Sequence, residues 1–252
     1  DGPLWPAALP PAHVIDHETE RGRVAARVLM DEWMDCLHGL QGLIQSVAHH
    51  MIVSWEAEGI PREESFRLVI ECIRRAMAYE MAAQELCDIV IEKKVALEGW
   101  SLGDCIAGLS AIAGRRLAQS LSSEVCMVFR GNNIPDNLDR AVHVMTQEAV
   151  RMGVPAGSDW RFGLAANDMP VNAPVELIRG LEPYCQEFFR RIALDGLFEQ
   201  SVGCAKAAGR MIAVAAGGEI PEIEPAIAKP LAMAAMTESY KFVCLDQTMA
   251  TA

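Results

Sequence analysis

His49 and His143 are the residues of this 252-residue chain best placed to share chemistry. His49 stands ten residues before Gly59 and His143 ten before Gly153, and each is followed two positions on by a methionine, Met51 or Met145. The glycines open similar tripeptides, Gly59-Ile60-Pro61 and Gly153-Val154-Pro155. Imidazoles at equivalent places in two similar units could meet near a twofold axis and share a metal ion or haem. The plainer reading is two unrelated histidines on partly exposed helix faces. Asp35 and His38, spaced i,i+3, face one side of a helix. A carboxylate-bridged di-metal bundle needs two Glu-x-x-His pairs and two further carboxylates, and only one imperfect pair is present here.

A second group of candidates lies in one polar stretch. Residues 157–174 carry Asp159, Trp160, Arg161, Asn167, Asp168 and Asn172, with Gly163, Pro170 and Pro174 against a continuous helix. Long irregular connections in compact proteins tend to be binding loops or lids, so these six residues form the candidate binding region. A drifted surface loop would look the same. The chain contains no P-loop, dinucleotide glycine fingerprint, H-E-x-x-H, G-x-S-x-G or zinc-ligand spacing, and no motif names a cofactor.

The elements that would position these residues are helical. Ala and Met are abundant while aromatics make up only 6%, which favours closely packed helices over sheets of β-branched and aromatic residues. Apolar residues recur at three- and four-residue steps from near Glu18 to Ile44, and again along a long segment from Glu63 to Glu98. Ser101 and Asp104 predict a capped start for a third helix. Further helices are expected over about 138–152 and 231–246, the last after the proline-punctuated stretch 219–230. Pro183 is expected to interrupt the helix before it. Residues 1–16, with Pro3, Pro6, Pro10, Pro11 and Trp5, form an extended arm, and residues 17–252 a single all-helical domain.

Three matches recur in order. Gly59–Arg67 pairs with Gly153–Arg161, Lys93–Trp100 with Arg190–Leu197, and the run Ala113-Gly114-Arg115 with Ala208-Gly209-Arg210. A fourth, fainter echo links Ala141–Glu148 to Ala232–Ser239. Similar helices explain one such match but poorly explain several at nearly constant separation. The expected class is therefore all-α, a helical bundle built by internal duplication. Its repeat halves span about 47–121 and 142–216 and are related by a pseudo-twofold axis. Within them Arg115 should match Arg210 and Gly99 should match Gly196.

The net charge of −12 and the lack of basic clusters beyond isolated pairs argue against nucleic acid and anionic membranes as partners. No stretch approaches the ~20 apolar residues of a transmembrane helix. Eight widely spaced cysteines in apolar surroundings suggest buried, reduced thiols and hence a cytoplasmic location. The sequence supports two functions. One is an interaction or assembly protein acting as a homo-oligomer, its arm contributing to the interface. The other is a helical enzyme, or a small-ligand or metal-binding protein, with its site between the repeat halves near the 157–174 loop.

Overall fold

The computed structural model describes residues 40–121, 136–156, 172–217 and 222–250. Among them the chain forms no strand and seven α-helices of sixteen residues or more. These are α1 (Leu40–Ala57), α2 (Arg62–Met81), α3 (Leu102–Gln119), α4 (Asp136–Arg151), α5 (Pro174–Arg191), α6 (Leu197–Ala216) and α7 (Pro225–Ala250). The all-α expectation holds. Past Met81 the chain stays helical through two wide π-type turns, Ala82–Leu86 and Ile91–Ala96, joined by the α-turn Cys87–Val90. The chain divides into two compact units, Asp1–Met77 and Ala78–Ala252.

In the first unit, α1 ends because Gly59 takes φ +88°, a left-handed conformation that only glycine adopts without steric cost. The Ile60 and Gly59 amides then donate to the Trp55 and Glu56 carbonyls at 2.9 and 3.1 Å, satisfying helix-end acceptors. Ile60 packs on a small core of Met51, Trp55, Leu68, Val69 and Cys72. Beside this core Glu71 is buried and bound by Arg74 and Arg75. Burial alone would raise the Glu71 pKa, but hydrogen bonds and charge from the two arginines outweigh it and hold the carboxyl below its usual range.

The second unit is organised around α3 packed on α6, with α7 and α5 against α3, and α4 and the Ala82–Leu86 turn against α6. Small residues allow these approaches. A Cβ at Gly114 of α3 would fall on the Met236 carbonyl oxygen of α7, and a Cβ at Gly209 of α6 would fall on the Met145 carbonyl oxygen of α4. A Cβ at Gly108 would fall on the Leu181 side chain, with the Leu177 Cβ at 3.4 Å, and one at Gly203 on the Phe189 ring, with the Ala82 Cβ at 3.2 Å. The core between these helices includes Leu109, Ile112, Met145, Phe189, Met211 and Met236.

The helix ends follow local chemistry. Ser101 caps α3 by accepting from the Asp104 amide at 3.0 Å, as its sequence predicts. Gly153, φ +101°, closes α4 with the same pair of backbone bonds that Gly59 makes for α1. The end of α5 departs from the expected pairing of Gly99 with Gly196. Gly99 is left-handed at φ +73°, whereas Gly196 is an extended N-cap at φ −70°. The left-handed residue after α5 is Ala193, at φ 52°, and its Cβ makes that turn cost about 1–2 kcal/mol more than glycine would.

Pro183 does not interrupt α5, which runs through it. The ring sits on an exposed stretch, so the lost backbone bond costs less there than in the core. Helix α7 begins earlier than the sequence suggests, at Pro225, where the fixed φ suits a first helical position, and it continues past Pro230. Lys94 secures α5 from outside. Its ammonium lies 4.8 Å from the Trp100 ring centroid and 5.1 Å from that of Tyr184, and bonds Glu98 at 2.9 Å. The six cysteines among the described residues, 72, 87, 105, 185, 204 and 244, are all buried. Desolvation, aided by Asp88 and Asp104 respectively, pushes the Cys87 and Cys105 thiols up to about 12, so both stay protonated and inert.

Candidate functional site: an open groove on helix α3

Helices α5 and α7 flank α3 and leave a groove between them. Its apolar end is a cavity of about 410 Å³ walled by Val175, Leu177, Phe242 and Leu245, with the buried Ala107 and Ala111 of α3 beneath it. That volume is in the range of small-molecule sites, as is the predominance of apolar walls. Three wall residues are far more exposed than core side chains: Val175 at 61%, Phe242 at 72% and Leu245 at 63%. Large apolar side chains exposed side by side around a concavity mark a binding surface more often than chance scatter does.

The groove continues into a second, more polar cavity of about 630 Å³, and the two share Val175, Ile178, Ser239 and Phe242. Arg115, Arg179, Glu182 and Asp246 line the polar part. Behind it, Arg116 is buried and donates to Glu182 Oε1 at 2.8 Å and Gln200 Oε1 at 2.6 Å, with its guanidinium 5.0 Å from the Phe189 ring centroid. Burial opposes the Arg116 charge, but the Cys204 and Glu182 groups outweigh it and raise its pKa. Glu182 therefore faces the cavity with its charge balanced from behind.

A different set of charges occupies the far side of the unit. Lys206 of α6 bridges Glu80 and Glu148, the latter at 3.6 Å. Arg151 bonds the same two carboxylates, at 3.0 Å to Glu80 and 2.6 Å to Glu148. The Lys206 and Glu148 side chains are only 5% and 2% exposed. This network straps α4 and the residues around Glu80 together across α6.

Of the residues singled out in the sequence, Asp159, Trp160, Arg161, Asn167 and Asp168 lie outside the described residues, as do Asp35, His38 and the arm 1–16. Asn172 is described, and it bonds the buried Asp104 through its amide at 3.2 Å and its side chain at 3.0 Å. It thus ties the chain entering α5 to the first turn of α3, two helices that border the groove. His49 is exposed on α1 and His143 on α4, and no group of three or more potential metal ligands occurs among the described residues. The groove residues escaped sequence reasoning because Val175, Phe242 and Leu245 read as ordinary apolar helix positions.

Fold and site define the class: an all-helical protein, in which no described helix is long and apolar enough to cross a membrane, with an apolar groove running into a polar one. Compared with known proteins, the chain matches no protein family, no curated protein and no solved structure.

Proposed function

We propose that this protein binds a small apolar molecule in the groove on α3, and that its second unit arose by internal duplication with one of two corresponding grooves left open. The support is a four-residue correspondence. Gly114 against the Met236 carbonyl and Gly209 against the Met145 carbonyl give one set of anchors, and Gly108 with Leu177 and Gly203 with Ala82 give another. Counting from these anchors, Lys206 corresponds to Ala111, Glu80 to Val175, Glu148 to Ser239 and Arg151 to Phe242. The four charged residues strap their groove shut, and all four counterparts line the apolar cavity. Replacing the buried half of that network, Lys206 and Glu148, costs little when well-packed apolar groups fill the space. Here they leave a cavity, which a ligand would fill.

A neutral fluorophore that brightens in apolar surroundings, such as Nile red, should bind the intact protein. Ala111→Trp, which fills the cavity from beneath, should weaken it about tenfold or more. Phe242→Ser changes an exposed wall residue with little risk to folding, so it should weaken binding while leaving the circular dichroism spectrum intact. If neither substitution changes the affinity, the groove is not the site.

Assembly is a second proposal, favoured by exposed apolar residues in the first unit, Phe66 at 51% and Met77 at 62%, which helical spacing puts on one side of α2. Light scattering should report a homo-oligomer, most simply a dimer. A monomer would remove this proposal.

A further inference from the structure

The two ends of the groove differ in chemistry, and that difference restricts the ligand. The apolar end lies above the buried alanines of α3, and its one pair of opposite charges, Lys241 and Glu238, is held together at 3.6 Å. The polar end carries Arg115 from α3 and Arg179 from α5. Among the described residues neither guanidinium has an ion-pair or hydrogen-bond partner, whereas Arg210, at the position corresponding to Arg115, contacts the Met152 sulfur at 3.7 Å. Two carboxylates share the polar end. Glu182 is compensated by Arg116, and Asp246 is exposed on α7. The uncompensated charges at this end are thus two cations against one solvated anion.

Resting on the reading of the groove as a ligand site, we propose that the ligand is a single-chain amphiphile with an anionic head. Its chain lies against Val175, Phe242 and Leu245 in the apolar cavity, and its head reaches Arg115 and Arg179 past the shared residues Ile178 and Ser239. Arginine is suited to this role because its planar donors pair with a carboxylate or phosphate-type head in two-point contact and it stays charged at all working pH values. The ligand is a free molecule and not a lipid held in a bilayer, since two arginines at the groove fall short of the roughly four to eight clustered basic residues that hold an anionic membrane.

The test compares laurate, lauryl alcohol and laurylamine, which share one chain and differ in the head, each below its micelle concentration and at one fixed ionic strength. Laurate should bind the intact protein about tenfold or more tightly than the alcohol, and the amine most weakly. Arg115→Gln combined with Arg179→Gln should abolish the preference for laurate and leave the alcohol affinity unchanged. That second readout separates a lost charge contact from a damaged groove. Equal affinity for all three heads would overturn the anionic-head proposal while the apolar groove stands. If Nile red and all three chains fail to bind, the ligand site itself is overturned. Sedimentation of the protein with phosphatidylglycerol vesicles, without binding of free laurate, would overturn the free-amphiphile proposal in favour of a membrane contact.

Discussion

Arg116→Ala should destabilise the protein by about 3–5 kcal/mol, seen as a lower urea midpoint with an unchanged denaturant slope. The Arg116 side chain is 2% exposed and is held by Glu182, Gln200 and the Phe189 ring. Removing it leaves the Glu182 carboxylate without its counter-charge, although Oε2 of that group already lacks a hydrogen-bond partner among the described residues. Because the Glu182 side chain is 22% exposed, water can reach part of it and the loss should fall toward the lower end of that range. Replacing both residues, Arg116→Met with Glu182→Met, should cost far less, since no charge is then left buried. Equal losses for the single and double variants would show that packing on Phe189, and not the ion pair, is what matters.

Gly114→Val and Gly209→Val should each cost about 3 kcal/mol. At both positions the added Cβ meets a backbone carbonyl, of Met236 or Met145, and a helix backbone cannot step aside as a side-chain tip can. The helices α3 and α7, or α6 and α4, would have to separate, losing contacts along their length. Gly153→Ala makes the contrast. Nothing lies within 4 Å of its Cβ position, so only the left-handed φ resists the change, at about 1–2 kcal/mol. A Gly209→Val protein as stable as the original would mean that α6 and α4 do not pack at this register. Losses of similar size at Gly114 and Gly209 would match the correspondence proposed between the two helix pairs.

Much of this protein was legible in the sequence where the physics is local. Helix class follows from composition and apolar spacing, since periodicity is a property of neighbouring residues. The turns at Gly59 and Gly153 follow a local rule, since a left-handed helix end favours glycine, and the α3 start could be read because Ser101 and Asp104 carry the capping groups. The run Ala-Gly-Arg was visible twice, and both of its glycines stand at close helix crossings. Other features were hidden because they are relations between distant residues. Pro183 looked like a break, yet packing of α5 on α3 outweighs one missing backbone bond on an exposed face. Asn172 was legible only as a polar residue of a candidate binding stretch, and its bonds to Asp104, 68 residues away, were not. The strap of Glu80, Glu148, Arg151 and Lys206 draws on three separate helices, so no local pattern announces it. The groove on α3 is the clearest case. Burial depends on what packs above a residue, and an apolar position on a helix has the same sequence signature whether a neighbour covers it or not. The sequence by itself determined that these segments would be helices and where several of them would end. Only the tertiary structure decided that Leu177 of α5 and Leu231 of α7 cover Ala107 while Val175 and Phe242 are left at an open wall.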